Sequence, residues 1–194
     1  MTATAPRILL IRHAEKPTDS PPPHGVTKHG DHDDQSLTVE GWQRAGALAC
    51  YFAPTSGPLQ SPLLSTPGVI YAASPGSSGS EESQSRRPME TVTPLADKLG
   101  LDLQAQFTKG METQVAQAAM AESGPVLVCW QHKALHLVAN AVLGDDTTAP
   151  QTWPGDRFDV VWVFDLQPGG SYTFSQLPQL LLKGDSPDPI PGGG

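Results

Sequence analysis

The sequence predicts an α/β fold, a three-layer α/β/α sandwich with a mostly parallel central sheet. Three observations lead there. Short apolar runs at residues 8–11 (ILLI), 69–73 (VIYAA) and 126–130 (VLVCW) have the length and composition of buried strands. Stretches with apolar residues every three or four positions lie between them. Strands alternating with helices in this way build a parallel sheet with helices on both faces.

Each element follows from its own residues. Residues 38–52 (TVEGWQRAGALACYF) read as a helix, with Thr38 as N-cap and Val39, Trp42, Ala45, Ala49 and Phe52 as the apolar stripe. Residues 88–99 (PMETVTPLADKL) form a second helix; Pro88 suits its first turn, Gly100 ends it, and Pro94 marks a kink point. Residues 101–107 read as a short strand and 112–122 as a third helix. A fourth helix, 134–143, stops at Gly144. Residues 158–165 and 171–176 make a hairpin across Gly169 and Gly170. Polar, Pro-rich segments at 17–34, 54–68 and 75–85 are loops. Residues 1–183 are expected to form one domain, and 184–194 a flexible Pro/Gly-rich tail.

Composition narrows the function. The formal charge is −8, from 12 Lys and Arg against 20 Asp and Glu. That balance argues against nucleic acid or an anionic membrane as partner. A few arginines gathered in one cleft still make a local positive field. Two cysteines, Cys50 and Cys129, are read as buried free thiols, since no paired motif exists. The opening MTATAPRILLI carries no positively charged leader, and no apolar run reaches spanning length, so a cytoplasmic protein is expected.

The chemistry-bearing residues follow the strands. Arg12 and His13 end the first one, Arg86 and Arg87 open the second helix, and His132 follows VLVCW. In open α/β sheets ligands sit beyond the carboxyl ends of the strands. A phosphoryl group needs little more than this set. Guanidinium forks pair with its oxygens. A neutral imidazole nitrogen attacks phosphorus when the other ring nitrogen holds the proton. A second imidazole stabilises the shifting charge.

These residues carry a resemblance. LLIRHAEKP resembles the Arg-His-Gly signature of the histidine phosphatase superfamily, the phosphoglycerate mutase-like proteins. SLTVEGWQRAGALA is similar to that family's Leu-Thr-x-x-Gly-x-x-Gln-Ala element. RPMETVTPLADKLG is similar to its Arg-x-x-x-Thr helix, with Arg87 and Thr91 in the matching places. VLVCWQHKAL resembles the strand that delivers the second histidine. The four elements stand in the family's order across most of residues 7–143. Ala14 replaces the usual glycine, and PGSSGSEES lengthens the link before Arg87.

The resemblance implies a phosphohistidine on His13, with Arg12, Arg87 and His132 binding the phosphoryl group and no cofactor. The reaction implied is hydrolysis of a phosphate monoester, on a small molecule or a phosphoprotein. Lys133 stands where the acid-phosphatase branch has Asp, so Glu112 is offered as general acid. A non-catalytic phosphate-binding module and a phosphotransferase (mutase) are the alternatives. Substrate identity and oligomeric state stay open.

One rival site was weighed. The run HGVTKHGDHDD holds His24, His29, His32, Asp31, Asp33 and Asp34, which are metal-ligand types. It lies in a Pro-rich loop with no strand to support it, so no metal is expected and the loop is read as shaping the pocket entrance. GSSGSEESQ lacks a Gly-Lys-Ser/Thr ending and is not a nucleotide loop.

Overall fold

A computed structural model describes residues 6–76 and 84–192. Its elements run β1 (Arg7–Arg12), α1 (Val39–Phe52), β2 (Val69–Ala72), α2 (Arg87–Leu99), α3 (Glu112–Ala121), β3 (Val126–Trp130), α4 (Leu135–Leu143), β4 (Val160–Leu166) and β5 (Tyr172–Pro178). The sheet order is β2-β3-β1-β4-β5. β1 pairs in parallel with β3, and β3 with β2; β4 runs antiparallel to both β1 and β5. Four of the five strands therefore point the same way, and the sheet is mixed at β4. Residues 101–107, expected as a strand, form no ladder. They touch the sheet at the isolated parallel bridge Tyr71↔Gln104, and a second bridge, Ser74↔Thr108, follows just beyond both segments.

Period-two alternation divides the core into two layers. Ile8, Leu10, Val126, Val128, Trp162 and Phe164 face α3 and α4, where Val115, Ala119, Leu135 and Val138 meet them. Leu9, Ile11, Leu127, Cys129 and Val161 face α1 and α2, against Leu48, Phe52, Val92 and Leu95. β1 has strands on both sides and helices on both faces. Its apolar residues are at most 1 % exposed, so the strand end that carries Arg12 is held on every side.

Helix α1 is capped as predicted: the Thr38 hydroxyl accepts from Gly41 N at 3.1 Å. Its apolar face differs from the predicted stripe. Val39 is 64 % exposed, whereas Arg44 is buried. The reason is a buried ion network. The Arg44 guanidinium donates to Glu15 Oε1 at 2.8 Å, Gln179 Oε1 at 3.0 Å and Asp185 Oδ1 at 2.7 Å. Gly41 lets this helix approach closely; a Cβ there would stand 2.5 Å from the Glu15 carbonyl oxygen. Glu15, two residues past His13, is thus the partner of Arg44. Cys129 is buried as expected, but Cys50 is exposed.

Residues 184–194, expected as a flexible tail, are docked on the domain as far as they are described. Asp185 pairs with Arg44, Ser186 N donates to Asp159 Oδ2 at 2.7 Å, and Ile190 is 1 % exposed in the core. The side chain of Gln176 on β5 bonds both the N–H and the C=O of Ile190. The polar composition that suggested mobility supplies these bonds. The run 75–85, read as flexible, lies largely outside the described residues.

Asp185 makes this docking testable. Burial opposes its charge, but Arg44 and the amides of Leu181 and Leu182 outweigh that and hold the carboxyl below its usual 3.8. Asp185→Ala strands part of the Arg44 charge and is expected to cost about 3 kcal/mol. Urea unfolding would show a lower midpoint with an unchanged slope. The sign with pH follows: the contribution is complete above pH 3.8 and is lost as pH falls through the lower folded value. The gap between wild type and variant should therefore close only in that acid range.

Candidate active site

The parallel pairing of β1 with β3 places Arg12 beside Trp130. His13 N then donates to the Trp130 carbonyl at 3.1 Å, so the first residue past the strand is still tied to the sheet. Both chains leave the sheet at the same edge, and both bring a histidine. The rings of His13 and His132 stand 6.4 Å apart at 80°.

His13 is 3 % exposed. Its Nδ1 lies 2.7 Å from the Ala14 carbonyl oxygen. A carbonyl can only accept, so Nδ1 carries the proton and Nε2 keeps its lone pair. Burial pushes the imidazole pKa well below 6.5, and the neighbouring charges of Arg12 and Arg87 push the same way. The ring is therefore a neutral base at physiological pH.

Arg12 is 1 % exposed. One guanidinium nitrogen donates to the carbonyls of Pro154, at 3.1 Å, and Arg157, at 2.7 Å. The guanidinium carbon lies 3.8 Å over the centre of the Phe158 ring. Its Nε and Nη2 have no hydrogen-bond partner among the described residues. Burial lowers its pKa to about 9, with Glu15 and Asp156 opposing, so the group stays charged at neutral pH.

Arg87 opens α2 and reaches back to the loop after residue 33. Its Nε donates to the Ser36 carbonyl at 3.3 Å, and its Nη2 to the Asp34 carbonyl. Arg86, its neighbour, is exposed and pairs with Asp33 at 2.8 Å. Thr91 explains the spacing between Arg87 and the first loop. Its hydroxyl donates to the Arg87 carbonyl at 2.7 Å and accepts from Ala14 N at 2.8 Å. One buried hydroxyl thus clamps the start of α2 to the residue after His13.

These groups border a cavity of about 290 Å³ lined by His13, Lys16, Asp19, Ser85, Arg87, Gln131, His132 and Lys133. Arg12 lies buried next to His13 and is not itself among the lining residues. Three of the five residues singled out in the sequence thus line the cavity, and Arg12 adjoins one of them. Glu112 is the exception. It is 6 % exposed, and its Oε1 accepts from Trp130 Nε1 and Gly110 N, both at 3.0 Å. It pins α3 to β3 and is not among the residues lining the cavity, which corrects its placement as an acid facing the substrate. The physical reason is the indole N–H of Trp130, a buried donor that needs an acceptor.

Other residues of the site were not legible. Gln131 sits next to His132 in sequence, and that adjacency was its one signal. Asp19 and Ser85 lie in segments without periodicity. Phe158 and the carbonyls of Pro154 and Arg157 reach Arg12 from the far end of the chain, and backbone acceptors leave no trace in residue types.

No family model and no curated protein matches the chain. Solved structures do. The protein histidine phosphatase SixA complexed with tungstate aligns with a TM-score of 0.54 at 15% identity, over 89% of this chain and 97% of that one. A SixA counterpart from Agrobacterium tumefaciens gives 0.52 at 17%, with the same coverage. A mycobacterial glucosyl-3-phosphoglycerate phosphatase gives 0.53 at 11%, again over 89% and 97%. These proteins are members of the histidine phosphatase superfamily, and the fold of this chain is theirs.

Proposed function

We propose that the protein is a phosphatase that hydrolyses a phosphate monoester through a phosphohistidine on His13. The observation that carries this reading is the state of His13. A buried, neutral imidazole, with its proton fixed on Nδ1, sits beside two guanidinium groups in a solvent-reaching cavity. Two buried N–H-bearing nitrogens of Arg12, without partners among the described residues, call for an acceptor. A phosphoryl group supplies three oxygens for them and for Arg87. The fold shared with SixA and the mycobacterial phosphatase supports the same reading, as does tungstate, an oxyanion shaped like phosphate, in the SixA complex.

The steps balance with the residues present. Nε2 of His13 attacks phosphorus, the N–P bond forms, and the ester P–O bond breaks. Arg12, Arg87 and His132 stabilise the oxygens as charge spreads. The leaving oxygen takes a proton from water or from a group at the cavity wall. Water then attacks the phosphohistidine, the N–P bond breaks, and inorganic phosphate leaves with His13 restored. The Nδ1–H bond to Ala14 becomes charge-assisted while the ring carries the phosphoryl group. Lys16 and Lys133 at the wall favour an anionic substrate.

Hydrolysis of an aryl phosphate by the purified chain tests this. His13→Ala should lower kcat by about 10³-fold or more. Equal activity in wild type and variant would overturn the mechanism. Arg87→Ala should lower kcat/KM by about 10²-fold, with vanadate inhibition weakened in parallel.

Two further outcomes follow from the geometry. Because His13 resists protonation, the acid limb of kcat/KM should lie below pH 6.5. The unfolded histidine gains a proton near 6.5 that the folded one refuses, so folding stability should also fall as pH drops below that value. Thr91→Val leaves Ala14 N without its acceptor at a buried place, at a cost of about 1–3 kcal/mol. It should lower kcat more than it raises KM, since Thr91 holds the loop rather than the substrate.

A further inference from the structure

We propose that His24, His32 and Asp34 form a binding site for a divalent cation of the zinc class, placed so that its occupancy steadies Arg87. Each of the three residues offers one ligand atom, and the atoms lie within 4.8 Å of one another. His32 Nε2 is 3.0 Å and His24 Nδ1 3.9 Å from the same Asp34 oxygen. Tetrahedral zinc with ligands at about 2.0–2.1 Å wants its donors roughly 3.3 Å apart. The observed separations bracket that value, so small side-chain rotations bring the three donors onto one ion. Two imidazoles and one carboxylate favour a borderline metal over magnesium or calcium. The exposure of all three residues leaves a fourth position to water.

The sequence argument against a metal here was the lack of a rigid support. The structure removes it. The loop doubles back on itself through the antiparallel bridge Val26↔His32. Asp33 N donates to the Gly25 carbonyl at 3.0 Å, and Val26 N to the Leu37 carbonyl at 2.8 Å. Gly25 makes this crossing fit, since a Cβ there would lie 2.2 Å from the Asp33 carbonyl oxygen. The loop is also fastened to α2, where the Glu90 carboxylate accepts from Ser36 Oγ at 2.7 Å and Leu37 N at 2.9 Å. The rings of His24 and His32 meet edge to face at 4.9 Å as a result.

Asp34 connects this site to the cavity. Its side chain is the shared ligand, while its backbone carbonyl accepts from Arg87. An ion on the carboxylate would hold the carbonyl still and so narrow the positions open to the guanidinium. This consequence rests on the phosphatase reading; the cation site itself does not.

Calorimetric titration of the full chain with zinc alone tests the site, with cobalt absorption reporting coordination. One ion per chain is expected. His24→Ala combined with His32→Ala should weaken binding at least about tenfold. Asp34→Asn, which keeps both rings, should weaken it as well. His29→Ala should leave it unchanged, and so should His13→Ala, which separates this site from the cavity. Absence of stoichiometric binding, or equal affinity in the double variant, would overturn the site. Zinc should lower KM for an aryl phosphate in wild type and not in the double variant; an unmoved KM would overturn the link to Arg87. A chain that binds zinc yet turns over no phosphate ester would sink the phosphatase reading and leave the cation site standing.

Discussion

The buried guanidinium of Arg12 is the constraint on which the rest of the structure depends. A cation taken this far from water is costly unless it is bonded on every side. Among the described residues two of its nitrogens have no partner, and the hydrogen bonds it does make go to remote backbone. The Pro154 and Arg157 carbonyls must therefore be held in place. Arg157 is itself tied by Asp159 at 2.7 Å and by the Asp188 carbonyl at 2.7 Å. Asp159 in turn holds Ser186 N. The C-terminal segment thus helps to hold Arg157, whose carbonyl accepts from Arg12. Its docking through Arg44 and Asp185 belongs to the same construction.

This arrangement also answers how a chain of net charge −8 keeps a positive site. A carboxylate hydrogen-bonded directly to Arg12 or Arg87 would cancel most of that arginine's field. The hydrogen bonds seen on these two arginines go to carbonyl oxygens, Pro154 and Arg157 for the first, Asp34 and Ser36 for the second, while Glu15 and Asp156, and Glu90, Asp33 and Asp34, act on them through space. A carbonyl accepts a hydrogen bond without cancelling a full charge. The buried arginine that serves no such purpose, Arg44, is paired with two carboxylates. Burial first, and the neighbouring arginines second, keep the His13 ring neutral.

Much of the fold was legible, because its signals are local. Apolar runs of strand length, the Thr38 cap and the glycines at 100 and 144, both with positive φ, mark elements close to where they stand. Where reading failed, a distant partner had decided. The segment 101–107 has strand composition but meets β2 at a single bridge, Tyr71↔Gln104. Val39 fits the helical stripe but faces outward, because Arg44 takes the buried face to reach Asp185. The tail has the polarity of a mobile segment, and its partners Arg44, Asp159 and Gln176 are distant in the chain.

The sequence by itself determined which residues could do phosphoryl chemistry and, through the strands they follow, at which edge of the sheet they would gather. Arg12, His13 and His132 are picked out as candidates this way, and Arg87 by its place at the start of a helix, since element ends are local features and the order of elements is written in the chain. Only the tertiary structure decided the state and the company of those groups. The proton on His13 Nδ1 depends on a carbonyl, the partners of Arg12 come from beyond residue 150, and Glu112 was drawn off by the Trp130 indole. It also turned a loop of scattered His and Asp into a pinned hairpin. Hydrogen bonds between residues far apart in the chain, many of them to backbone, carry these decisions, and composition does not encode them.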